Sequence, residues 1–160
     1  NLSVNDATRK NGQGVFMITN TRAKTDIYNN TIVATNDGRN LVYTFGGKCM
    51  NISFTNNIFY GNAIIKPAGD GLEGCTFENN ILANGAAAPS ASGLTVKNNK
   101  TADPKFKNAS ATDYKNRAKM IEAFTPQNKM TGASTISNNG GKDINGTSIG
   151  SSAFYGAVKY

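Results

Sequence analysis

Four stretches of the chain repeat one pattern, a short alternation of apolar and polar residues that runs into a pair of asparagines: Thr25-Asp26-Ile27-Tyr28-Asn29-Asn30, Ile52-Ser53-Phe54-Thr55-Asn56-Asn57, Cys75-Thr76-Phe77-Glu78-Asn79-Asn80 and Leu94-Thr95-Val96-Lys97-Asn98-Asn99. An apolar residue stands two positions before the first Asn in all four, and four positions before it in three. That is the period-two signature of a strand with one buried face. A second short run follows in three of them, as Thr31-Ile32-Val33, Ile58-Phe59-Tyr60 and Ile81-Leu82-Ala83. Third strands are predicted at Gly14–Ile18, Leu41–Phe45 and Ala63–Lys66, reached through turns such as Asn36-Asp37-Gly38 and Gly61-Asn62. The asparagine pairs step by 27, 23 and 19 residues, too long for a hairpin and far short of the roughly 40 residues of a propeller blade.

Asparagine between two short strands has a physical reason. A sharp bend without a loop needs a residue tolerant of positive φ, and Asn accepts that conformation better than any residue but glycine. If successive passes of the chain stack about 4.8 Å apart, the amide side chains can also hydrogen-bond up the stack as a ladder. Each pass then reads as strand, Asn bend, strand, Gly/Asn turn, third strand and variable loop, which is a parallel β-helix.

The 160 residues suffice for one domain with a continuous core. No run approaches the roughly 20 apolar residues of a membrane helix, so no membrane is expected as partner. The absence of His removes the commonest general base, Ser-His-Asp catalysis and most zinc sites. Seventeen Lys and Arg against ten Asp and Glu give a net charge of +7. This suits an anionic partner or simply a soluble basic surface. The basic residues are scattered rather than clustered among stacking aromatics, which argues against nucleic acid. In the repeat register Cys49 and Cys75 stand about three residues out of step, roughly 10 Å along a strand. A disulfide needs Cα atoms within about 7 Å, so two free thiols are expected.

From about Gly14 to Phe106 the chain resembles the right-handed parallel β-helix proteins of the pectate-lyase-like superfamily, with Asn56-Asn57-Ile58-Phe59-Tyr60-Gly61-Asn62 its most typical phrase. The tail is similar to the closing segment of secreted bacterial β-helix proteins, through Asp103-Pro104-Lys105-Phe106, Gly132-Ala133-Ser134, Asp143-Ile144-Asn145-Gly146 and Phe154-Tyr155-Gly156-Ala157. Chondroitinase-B-like and alginate-lyase-like polysaccharide lyases are among those proteins. The resemblance implies an all-β, right-handed, single-stranded solenoid over residues 1–106. It also implies a capping segment over 107–160, packed on the last coil within the same domain, with 111–124 forming a short helix or loop over the open end. It further implies a secreted, cell-surface or periplasmic bacterial protein, a monomer, and the C-terminal part of something larger.

In that superfamily sites line the face made by the third strands and the loops leaving them. The candidates here are Lys66 and Lys48 as catalytic bases, Arg22 and Lys24 as sugar clamps, and Asp70 and Glu73 as acidic partners in substrate binding. The chemistry implied is β-elimination in a uronic-acid polysaccharide. Removal of the proton beside a carboxylate needs a base, which Lys can supply. It also needs the carboxylate neutralised, which a Ca²⁺ held by carboxylates can do. No metal ligand set is identified. The sequence lacks the clustered Asp set of calcium-dependent pectate lyases and the Asn-Thr-Asp, Asp-Asp and His-Gly motifs of polygalacturonases. A non-catalytic glycan-binding or adhesin-like module of the same fold stands as the alternative.

Overall fold

The computed structural model describes residues 1–6, 16–19, 23–35, 40–45, 49–61, 64–67 and 72–160. Among these residues twelve strands and one helix occur in the order β1 (Leu2–Val4), β2 (Phe16–Thr19), β3 (Thr25–Tyr28), β4 (Thr31–Ala34), β5 (Asn40–Phe45), β6 (Ile52–Thr55), β7 (Ile58–Gly61), β8 (Ile64–Pro67), β9 (Cys75–Glu78), β10 (Ile81–Ala83), β11 (Leu94–Lys97), β12 (Lys100–Thr101) and α1 (Arg117–Ala123). The strands form three all-parallel sheets. S1, ordered β11-β9-β6-β3, holds the strands that lead into the asparagine bends. S2, β1-β4-β7-β10-β12, holds those that leave them, and S3, β2-β5-β8, holds the third strands. The chain visits the sheets in rotation, so each pass lays one strand beside its predecessor. The fold is all-β, with parallel sheets.

Pairing follows the asparagine repeat. Ile27 stands opposite Phe54 and Phe54 opposite Phe77 in S1, and Ile32 opposite Phe59 and Phe59 opposite Leu82 in S2. These residues point between the sheets and build the inner core: Ile32, Ala34, Ile52, Phe54, Phe59, Cys75, Phe77 and Leu82 are all buried, with Ile18 of S3 packed against them. The Phe77 ring lies 5.3 Å from Phe59 and 6.0 Å from Phe54, centroid to centroid, within the range where aromatic pairs attract. Cys49 and Cys75 are free and buried as expected, but the two residues touch: the Cys75 thiol donates to the Cys49 carbonyl at 3.4 Å. Each asparagine does one of two jobs. The first of each pair takes the left-handed conformation, with φ of 51° at Asn29, 58° at Asn56, 52° at Asn79 and 55° at Asn98. The second turns its amide inward. Asn57 Oδ1 accepts from the Asn30 backbone N–H (3.0 Å) and from Asn30 Nδ2 (2.9 Å), and the same pair of bonds joins Asn57 to Asn80 and Asn80 to Asn99. The other amide hydrogen of Asn57, Asn80 and Asn99 goes to the carbonyl of Ile27, Phe54 and Phe77 respectively.

Three features depart from the sequence reading. Asn1 occupies the ladder position ahead of β1, donating to Asn30 Oδ1 at 3.0 Å, and adds a strand that a lone Asn did not reveal. The last pass has no third strand: after β10 an Ala- and Pro-containing segment returns directly to β11, with Ala86 and Ala91 packed on the core. This accounts for its 19-residue step. Residues 107–160, expected on the last coil, lie instead along the outer face of S2. Val4 and Val33 pack with Met120, Ala123 and Phe124, while Ile58, Ile81 and Ala83 pack with Met130 and Tyr155. Contacts from the first pass to the fourth tie this segment down, and the helix is one part of it.

The reason is that S2 strands are apolar on both sides. Val33, Ile58 and Ile81 face away from the inner core and are fully buried, each worth about 1.5–3 kcal/mol relative to exposure. The outward asparagines guide the cover into place. Asn56 exchanges two hydrogen bonds with the Ser134 backbone (2.6 and 2.8 Å), Asn79 Nδ2 donates to Ser134 Oγ (2.8 Å) and Asn29 Nδ2 to the Phe154 carbonyl (2.6 Å). Gly156 passes so close to S2 that a Cβ on it would lie 2.6 Å from both Ile58 Cδ1 and Thr31 Oγ1.

Candidate functional site

With S2 covered, the outer face of S1 and its leading edge stay open among the described residues. S1 alternates strictly, so its outward residues form rows across the strands. One row is Asp26, Ser53, Thr76 and Thr95; the other is Tyr28, Thr55, Glu78 and Lys97. The first row is a strip of short polar side chains. At its end Asp26 accepts from Ser53 Oγ at 2.6 Å and pairs with Lys24 at 3.2 Å. The Ser53 hydroxyl, and after it the Lys24 ammonium, hold the Asp26 carboxyl below the usual range. The second row is roofed at one end, where the Tyr28 hydroxyl donates to the Asn138 carbonyl (2.6 Å), and closed at the other by a 3.0 Å ion pair of Lys97 with Glu78.

Of the residues singled out from sequence, Lys48, Arg22 and Asp70 lie outside the described residues. Lys66 lies in β8, its backbone opposite Tyr43 of β5, and its side chain is likewise outside what is described. Lys24 and Glu73 both sit on the leading edge of S1. The edge is knitted by Thr25 N–H to Asn51 O (3.0 Å) and Asn51 N–H to Glu73 O (3.3 Å), which sets Glu73 two strands from the segment of Lys24. Lys24 is exposed and committed to Asp26; Glu73 is exposed on the turn before β9. Among the described residues no three His, Cys, Asp or Glu side chains gather as a cation site.

A cleft of about 630 Å³, which sequence reasoning did not anticipate, opens between the first S1 strand and the tail. Asp26, Tyr28, Asn29, Arg117, Lys142 and Asp143 are among its walls. Asp143 is occupied structurally: Oδ1 accepts from the Asn145 and Thr147 N–H groups (2.9 and 2.8 Å) and Oδ2 from Lys159 N–H (3.0 Å). Arg117 is anchored by one bond to the Ile144 carbonyl at 3.1 Å. No periodic pattern marks these tail residues, so only the folded path brings them to S1. No described helix is long and apolar enough to cross a membrane. No protein-family model matches the chain, and neither does any curated protein or solved structure.

Proposed function

We propose that the three sheets wind as one right-handed, single-stranded parallel β-helix of the pectate-lyase-like class. In this reading the protein is a secreted bacterial protein acting on uronic-acid polysaccharide by β-elimination. The observation that supports it is the strict register of successive passes, which lines polar side chains of different passes along shared edges about 4.8 Å apart. A surface of that regularity suits a repeating polymer. Lys66 or Lys48 takes the proton beside the substrate carboxylate. The double bond forms as the bond to the leaving sugar oxygen breaks, and that oxygen receives a proton. Arg22, Lys24, Asp70 and Glu73 orient the sugars, and an anionic polysaccharide is the partner.

The test is absorbance at 235 nm during incubation with pectate, alginate and chondroitin, with and without Ca²⁺. A rise that disappears in Lys66→Ala or Lys48→Ala is expected, because unsaturated uronates absorb there. One observation favours the second reading, a non-catalytic glycan-binding or adhesin-like module. Lys24, whose side chain is described, is engaged with Asp26, which in turn is held by Ser53. A flat trace from a chain that still binds one of these polymers selects that module.

A further inference from the structure

The positive charge of the molecule is unevenly spread. Residues 100–160 carry nine of the 17 Lys and Arg but four of the ten Asp and Glu, a net of +5, against +2 for residues 1–99. Within that segment Lys107 pairs with Glu122 and Lys119 with Asp113. Three lysines without a carboxylate partner among the described residues gather where the last S2 strand meets the tail. Lys100, in β12, donates from Nζ to the Thr131 carbonyl at 2.7 Å. Lys105 and Lys129 are exposed. The junction is stitched by Gln127 N–H to Lys105 O (3.2 Å), Asn128 N–H to Pro104 O (3.1 Å) and Asn128 Nδ2 to Asp103 O (3.0 Å). Asp103, the carboxylate nearest in sequence, spends its Oδ1 on the Lys105 N–H (2.8 Å).

Lys105 adds an independent sign. Its φ is +47°, and it is the one residue besides Asn and Gly that the described chain holds in the left-handed region. A lysine there costs about 1 kcal/mol that glycine would avoid. Strain of this kind collects at functional positions, and here it aims a long cation from a rigid turn. The surroundings offer point charges and carbonyls rather than a stacking platform: Tyr155 beneath is buried, and the large apolar side chains exposed among the described residues, Val96 and Tyr114, are not part of this junction. That chemistry suits the hydrated carboxylates of a sugar chain better than nucleic-acid bases.

We propose that Lys100, Lys105 and Lys129 form the contact surface for an anionic polysaccharide, separate from the edge that carries Lys24 and Glu73. The inference rests on the polysaccharide reading and names where the polymer is gripped. The test measures binding to immobilised polygalacturonate and alginate at 50 and 200 mM NaCl. It compares wild type, K100Q/K105Q/K129Q and the charge-matched control K115Q/K119Q/K142Q, all with the same far-ultraviolet circular dichroism. The junction variant is expected to bind about tenfold more weakly at low salt, with the gap narrowing at high salt as screening removes the contribution, and the control to change by less than about threefold. Equal losses in both variants, or no loss in the first, overturn the junction. Tighter binding of wild type to single-stranded DNA than to either polymer overturns it too. Binding of polygalacturonate or alginate that is equally tight in wild type and the junction variant overturns the junction but leaves the polysaccharide reading standing, and binding to neither polymer removes both.

Discussion

Removing the amide of Asn57 is expected to be among the most damaging single changes available to this chain. The residue is fully buried and makes four hydrogen bonds, accepting from Asn30 N–H and Nδ2 and donating to Ile27 O and Asn80 Oδ1. In Asn57→Ala two donors of Asn30, itself 4% exposed, lose their acceptor where water does not enter. Each orphaned donor costs about 1–3 kcal/mol, and the vacated volume adds to it. The sum, about 3–6 kcal/mol, is comparable to the whole stability of many domains, about 5–15 kcal/mol. Asn99 makes the corresponding bonds to Asn80 and Phe77 at the half-buried end of the column, where water can substitute, so Asn99→Ala is expected to cost about 1–2 kcal/mol. Asn57→Asp separates shape from hydrogen-bond polarity. It keeps the acceptor that serves Asn30 but sets an oxygen against Ile27 O and Asn80 Oδ1. Burial raises the folded pKa of that carboxyl above its unfolded value, so its protonated form is favoured in the fold. Asn57→Asp is therefore expected to gain stability relative to Asn57→Ala as pH falls from 7 toward 4. Guanidinium denaturation followed by circular dichroism at pH 7 and 5 reads all three variants. The reasoning fails if Asn57→Ala lies within about 1 kcal/mol of wild type, or if Asn57→Asp matches wild type at pH 7.

Gly156→Ala places a methyl group against Ile58 and Thr31 at positive φ, and strain plus overpacking predict a loss of about 2–4 kcal/mol, seen as a lower thermal midpoint and as proteolytic release of the tail. Tyr160 is pushed up to about 12, chiefly by burial. Its folded pKa exceeds the unfolded one, so the contribution is complete below pH 10 and is lost as pH rises toward 12; denaturation midpoints at pH 9 and 11.5 should differ less in Tyr160→Phe than in wild type. Among the described residues the buried Tyr155 hydroxyl has no partner, and Tyr155→Phe is expected to be neutral or stabilising by up to about 1 kcal/mol in the same denaturation assay. Cys49 and Cys75 are both buried, and burial raises the Cys75 thiol further. A thiol reagent should therefore modify neither in the native protein and both in guanidinium.

Much of the sheet architecture is legible in the residues themselves. The asparagine pairs mark the bends, and the runs before and after them coincide with β3, β4, β6, β7, β9, β10 and β11. What the sequence obscures is what happens outside the repeat. The S1 strands alternate polar and apolar, whereas Ile32-Val33-Ala34, Ile58-Phe59-Tyr60 and Ile81-Leu82-Ala83 are continuously apolar. Such runs signal burial on both faces and are the clue that something must cover S2. The cover itself carries little regular structure, and most of its residues meet the sheet through backbone groups and isolated side chains such as Met130 and Tyr155, so no periodicity betrays its path. The candidate site was least legible. Lys24 and Glu73 do share an edge, but Lys105 and Lys129 come together only through hydrogen bonds between segments more than 20 residues apart.

The two-residue bend has a consequence for how such a chain can change over time. Passes of 27, 23 and 19 residues all hang from the same column of amides, and the shortest omits a strand without disturbing the spacing of the others. The length of a pass and the spacing between strands are therefore independent variables: the column indexes each layer, while the segments away from it are free to lengthen, shorten or acquire new chemistry. An insertion there stays a local event, whereas one extra residue between the two asparagines would throw every subsequent layer out of step.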